Sequence, residues 1–417
     1  MALPNFLENF LKTIKIKIAQ QIMPAQTTPR ANIAVPPSSD ELQVREKNLP
    51  LSPPGTPQQV NINFCEFYSG NEETVPPNKI MIFAEGNADF YENHFAKYQQ
   101  LAHDYPNVRI VAFNPRGVQK STGQALSEQD WTNDIIKVIE SYTVPSQENT
   151  APIPTQDITL VGESLGAALV TIAAAEKYKK DQEANRENPG RVRSVNVINI
   201  RSFSSLSQVL LGHLPAPALG GIAAAVYGGF LALFSPTLAL LVGGALFTGG
   251  FLGKDMRNSL TKLVDPLLAF PLNRLFGNME AAKAYISLPD EAKRHIVLKG
   301  DNVIPTVASL HNDKEIKALR SARKINYRAA LRATTEVEPN AQSSRVAAHE
   351  ALREIKDCVL KVENVPLSHN LPLSSLFTNH KLRQRPSSPQ EGIPEQINGK
   401  VVFDQHAQRL LRLRPRS

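Results

Sequence analysis

From Val60 onward, short apolar runs alternate with longer segments of helical periodicity. NINFCEFY, KIMIFAEG, VRIVAFNP, DITLVG, SVNVINI and RHIVLKG each read as a strand, and DCVLKVEN reads as one more. Between them, NHFAKYQQLAHDYP, DWTNDIIKVIESY and the stretch from Leu165 to Lys180 carry helical spacing. Strands that are apolar nearly throughout, rather than alternating with polar residues, are buried on both faces, and helices placed between them supply the cover. The pattern predicts an α/β fold with a mostly parallel sheet flanked by helices. No internal repeat interrupts it.

Outside this core the pattern changes four times. Residues 1–23 place Phe6, Leu7, Phe10, Leu11, Ile14, Ile18 and Ile22 at helical spacing among Lys12, Lys15 and Lys17, an amphipathic helix that can lie on a membrane or dock on the protein's own body. Residues 24–59 are rich in Pro, Ser, Thr and Gln and read as a disordered linker. Between Arg201 and Lys254 there is no Asp, Glu, Lys or Arg, and Ser235-Pro236 divides this stretch into two apolar segments with paired glycines. Each segment falls slightly short of the roughly 20 residues that span a bilayer, so the alternatives are a hydrophobic helical cap and a membrane hairpin. After about residue 385 the chain is Pro-rich and then basic, a tail expected to be disordered or to act as a docking peptide. The expected division is therefore 1–23 helix, 24–59 linker, 60–201 first part of the core, 202–275 insertion, 276–385 second part of the core and 386–417 tail.

Composition narrows the function classes. A chain of 417 residues can bury a sizeable core, and its net charge of +7 favours anionic surfaces without choosing among them. Its two cysteines, Cys65 and Cys358, lie far apart in apolar stretches, which speaks against a disulfide framework and a cysteine metal site. The first residues lack the basic region, unbroken apolar run and small-residue cleavage site of a secretory signal, so a cytoplasmic or membrane-associated location is expected. GVQKSTG has Gln119 where a phosphate loop requires glycine. No aromatic-basic strand points to nucleic acid.

The chemistry concentrates at GESLG, residues 162–166. The strand DITLV runs into it and a helix leaves it, the setting in which a strained turn lifts a serine hydroxyl clear of the chain. Gly162 and Gly166 keep that crossing thin, and the helix N-terminus aims backbone N–H groups at Ser164. A serine needs a base to take its proton and an acid to hold the base, both later in the chain and acid first. Asp301, after the strand RHIVLKG, and His369, after DCVLKVEN, fill that order, with Asp290 and His380 as reserves. Leu165 and Asn87, the latter in the turn after KIMIFAEG, are the expected backbone donors to an oxyanion.

With these motifs the chain resembles the α/β-hydrolase superfamily over residues 60–380. EGNA resembles its HGN-type oxyanion turn, and NPRGVQKSTG its D-x-R-G-x-G-x-S turn. GESLG and GDNVIP resemble its nucleophile and acid motifs. Within it, the chain looks most similar to the chlamydial CHLPS hydrolase-like group and the SidB-type secreted effectors of Legionella, which implies delivery into a host cell. The resemblance implies a serine hydrolase of apolar carboxylic esters, lipase or esterase in type, with Ser164, Asp301 and His369 as triad and no cofactor. The implied partners are a lipid or long-chain ester and a membrane touched through residues 214–252. An inactive interaction scaffold and an acyl-protein thioesterase are the alternatives, and the oligomeric state is left open. Two positions depart from the pattern: Glu85 stands before the oxyanion glycine, and Gln119 replaces a glycine.

Overall fold

The computed structural model describes residues 5–23, 26, 33–51, 60–69, 76–87, 89–106, 108–145, 151–214, 223–224, 253–298, 304–305, 308–318 and 362–363. Eight strands form one sheet: β1 (Leu42–Pro50), β2 (Asn61–Ser69), β3 (Lys79–Ala84), β4 (Val108–Phe113), β5 (Ile158–Glu163), β6 (Asn196–Ile200), β7 (Lys293–Leu298) and β8 (Val362–Glu363). Their spatial order is β1-β2-β4-β3-β5-β6-β7-β8. β2 runs antiparallel to both of its neighbours, and every other pairing is parallel. The helices are α1 (Asn5–Ile22), α2 (Phe95–Asp104), α3 (Glu128–Thr143), α4 (Leu165–Ala184), α5 (Leu206–His213), α6 (Gly253–Leu275) and α7 (Ala281–Ser287). Each predicted strand from NINFCEFY to RHIVLKG is present, and of DCVLKVEN the described residues Val362–Glu363 form β8. The mixed α/β sheet with flanking helices agrees with the expected fold class.

Burial on both faces follows residue by residue, because neighbouring side chains on a strand point to opposite sides. Ile62, Phe64, Ile80, Ile82, Val111 and Phe113 join the larger core, where Trp131 and Ile135 of α3 and Leu165 and Leu169 of α4 cover them. Their neighbours Cys65, Phe67, Met81, Phe83, Ile110 and Ala112 join the second core under Tyr98, Leu101 and Ala102 of α2. The buried Cys65 is a free thiol whose ionisation burial opposes. α3 starts with a capping box between Ser127 and Asp130. α4 runs four residues past the expected end at Lys180, because Lys177 pairs with Asp181 one turn on at 2.6 Å.

One expectation for the N-terminal region needs revision, and one of its two alternatives is decided. Residues 42–50, assigned to the disordered linker, form β1 and pair along the whole length of β2. Leu42 and Val44 bury into the second core, while Arg45, Glu46 and Asn48 are exposed and Lys47 pairs with Glu66 at 3.1 Å. The linker composition is thus that of a charged edge strand, a common way to blunt a sheet edge. The last turn of α1 docks on the body: Ala19, Ile22 and Met23 are buried in the larger core.

In the insertion, α5 and α6 pack together through Leu211, Leu260 and Val264. Among the described residues no helix is long and apolar enough to cross a membrane. Apart from 223 and 224, the apolar segments of residues 215–252 lie outside the described residues.

Candidate active site

The chain path reverses beside β3. From β3 it crosses to β4 on one side, and from β4 it returns to β5 on the other side. In parallel sheets, a crevice opens beyond the C-terminal strand ends at such a switch point. Here those ends carry Glu85-Gly86-Asn87 after β3 and Ser164 after β5.

Ser164 sits between β5 and α4 with φ 54° and ψ −115°, a conformation that non-glycine residues rarely adopt. Its N–H still donates to the Ile200 carbonyl of β6 at 2.9 Å, and its carbonyl accepts from Ala168 N–H at 3.2 Å. The strained residue therefore ends a sheet ladder and begins a helix in a single step. Its flanking glycines are a steric requirement. A Cβ on Gly162 would meet the Ala167 backbone, and one on Gly166 would collide with the carbonyl oxygens of Ala84 and Glu85. Gly86 closes on the serine from the other strand, since a Cβ there would lie 3.5 Å from that of Ser164. Leu165 is the first residue of α4, and Asn87 is exposed in the turn after Gly86. Ser164, Leu165, Gly86 and Asn87 are thus gathered at one sheet edge.

The supports of this turn come from far along the chain. Asn199 on β6 donates to the Ala167 carbonyl at 3.1 Å and to Thr171 Oγ1 at 2.8 Å, tying the first turns of α4 to the sheet. His295 on β7 fixes that amide by donating from Nδ1 to Asn199 Oδ1, 2.9 Å away. Arg201, itself at φ 56°, forms a buried ion pair with Glu163 beside the serine. Sequence reading identifies none of these residues, because each partner is distant and the residue types are ordinary. The one local signal is Asn199, a polar residue inside the apolar run of β6.

Glu85 is paired. Lys97 Nζ lies 2.5 Å from its Oε1, Tyr98 donates its hydroxyl to the same oxygen, and His94 Nε2 lies 3.7 Å from Oε2. The carboxylate that stands before the expected oxyanion turn is thereby paired with a cation. Glu85, Asp89 and His94 also place one ligand atom each within 4.8 Å of one another. As a metal site the group fits poorly, because the Lys97 ammonium already holds Glu85 and His94 Nε2 is engaged by Asp89 at 2.6 Å. The second departure is likewise accommodated: Gln119 adopts φ 48°, the left-handed conformation that glycine supplies elsewhere in this turn at Gly117 and Gly123.

Asp301, His369 and the reserve base His380 lie outside the described residues. Asp290, the reserve acid, is ruled out by position. It precedes β7 and pairs with Lys293 at 3.1 Å, whereas Ser164 follows β5, which runs parallel with β7 through β6. At about 3.3 Å per strand residue the two ends of β7 are separated by most of the sheet's depth.

No protein-family model matches this chain, and no curated protein matches it. Among solved structures, the hypothetical protein PA2218 from Pseudomonas aeruginosa matches over 42% of this chain and 47% of its own, at 15% identity and a TM-score of 0.30. The chain thus spans about half the length of that protein. A hyperthermophilic esterase from the archaeon Pyrobaculum calidifontis matches over 89% of this chain and 91% of its own, at 11% identity and a TM-score of 0.34. Brefeldin A esterase, a bacterial homologue of human hormone-sensitive lipase, matches over 87% and 78%, at 11% identity and a TM-score of 0.36.

Proposed function

We propose that this chain is a serine hydrolase of apolar carboxylic esters. Ser164 attacks the acyl carbonyl, His369 takes the hydroxyl proton and returns it to the leaving alcohol, and Asp301 holds the imidazole. Backbone N–H groups of Leu165 and Asn87 receive the oxyanion. Water then repeats the sequence on the acyl-enzyme, so the chemistry calls for no cofactor. The observation that carries this reading is the strained Ser164, held at φ 54° where the ends of β3 and β5 meet. Strain of this kind persists only where surrounding structure enforces it, and at a helix N-terminus it exposes a hydroxyl to donors already aimed. The motif order supports the two partners: Asp301 follows β7 and His369 follows β8 in the chain.

The charge-free stretch of residues 202–253 argues for an apolar acyl or leaving group, hence a lipid or long-chain ester, with residues 214–252 in contact with a membrane. Kinship with the CHLPS-like and SidB-type groups, and the host-cell delivery it implies, belongs to the same proposal and rests on the motifs alone. The neutralised Glu85 removes the main reason for reading the chain as an inactive scaffold. Labelling with a fluorophosphonate, followed by peptide mapping, tests the reading: adduct at Ser164 is expected, with none in Ser164→Ala. Comparing oxyesters with thioesters then separates a lipase or esterase from a protein thioesterase.

A further inference from the structure

We infer that Lys97 is a positioning residue for the oxyanion loop, acting through Glu85, an inference that rests on the hydrolase reading above. Glu85 directly precedes Gly86, which closes on Ser164, and Asn87 follows in the same turn. Its side chain is 5% exposed and that of Lys97 is 4% exposed, so neither charge is screened by bulk water. Lys97 also lies over the Tyr98 ring, 4.5 Å from the centroid, and near the Phe83 ring at 5.6 Å. The ammonium is therefore held in place by two aromatic faces as well as by the carboxylate.

The same stretch of chain holds the far end of the loop. Asp89 Oδ1 accepts from Phe90 N–H and Asn93 Nδ2, both at 2.9 Å, and Oδ2 contacts His94 Nε2 at 2.6 Å. Glu85 and Asp89, on either side of the turn, are thus anchored to residues 94, 97 and 98 at the start of α2. Within this clamp the Lys97 contact has a particular task. A lone carboxylate next to a developing oxyanion would repel it, and a buried carboxylate without its cation would turn toward water, taking the adjoining Gly86–Asn87 peptide with it. Lys97 cancels the charge and fixes the direction of the N–H. This matters in the transition state, where the oxyanion forms, far more than in substrate binding.

The test uses the full chain and a short p-nitrophenyl ester. Lys97→Met is expected to lower kcat by about 100-fold with KM changed by no more than about twofold, the pattern of a lost transition-state interaction. In Glu85→Gln combined with Lys97→Met, a neutral amide no longer needs the cation, and kcat is expected to return to within about tenfold of wild type. Tyr98→Phe removes one donor with little change in volume and is expected to cost about tenfold in kcat. It also keeps the inference testable should Lys97→Met fail to fold. Folded single variants with unchanged kcat, or a double variant no better than Lys97→Met, overturn the inference while a labelled wild type leaves the hydrolase reading standing. A wild type that neither labels nor turns over ester overturns both.

Discussion

The elbow depends on a few atoms of clearance, and this makes it sensitive to single methyl groups. Gly166→Ala would drive a Cβ into the carbonyl oxygens of Ala84 and Glu85, which are backbone and cannot rotate away. We expect a loss of about 1–3 kcal/mol or more in stability and loss of phosphonate labelling, read by thermal denaturation and by mass shift. Another buried group sets a pH dependence. Burial pushes the Glu128 carboxyl up to about 7, against the Met279 N–H that donates to it and favours the ion. Because the folded value is the raised one, its stabilising contribution is full below the ordinary carboxylate range and is lost as pH rises toward and through 7. Glu128→Gln keeps the acceptor and removes the ionisation. Melting curves at pH 5 and pH 8 should show the variant gaining on wild type only at the higher pH. At this level of detail the sequence is informative where partners are adjacent, as in Gly162-Glu163-Ser164-Leu165-Gly166. It is silent on Glu85 with Lys97 and on Asn199 with His295, because those contacts exist only after strands and helices have packed.

Among the elements, the buried strands were the most readable, since β3 and β5 are apolar on both faces and admit few alternatives. β1 is not, because LQVREKNLP buries only Leu42 and Val44 fully and Leu49 in part, and its middle carries the charges of an exposed segment. What makes it a strand is the free edge of β2, a tertiary feature with no local imprint. Leu42→Ala should therefore destabilise the protein by about 2–4 kcal/mol, visible as a lower denaturation midpoint, while leaving phosphonate labelling of the folded protein intact. The N-terminal helix shows the same limit. Its spacing declares an apolar face, but only packing reveals that Ala19, Ile22 and Met23 bury that face's end in the core.

Taken together, the sheet delivers the ends of β3 and β5 to one switch point, and the proposed membrane contact lies in the charge-free stretch of residues 202–253. Liposome flotation of the full chain against a form lacking residues 214–252 should show vesicle binding that the deletion removes; soluble behaviour in both would count against membrane contact. The serine turn is legible in outline because its glycines and serine are contiguous, while the proposed partners Asp301 and His369 rest on chain order alone. All of this depends on Ser164 being a nucleophile. The most direct measurement is covalent labelling of the folded wild-type chain with a fluorophosphonate, in parallel with Ser164→Ala and His369→Ala. A single adduct mapped to Ser164, absent from Ser164→Ala and slowed at least about 100-fold in His369→Ala, is the expected result. A folded wild type that acquires no adduct at Ser164, in detergent or with liposomes, would contradict it.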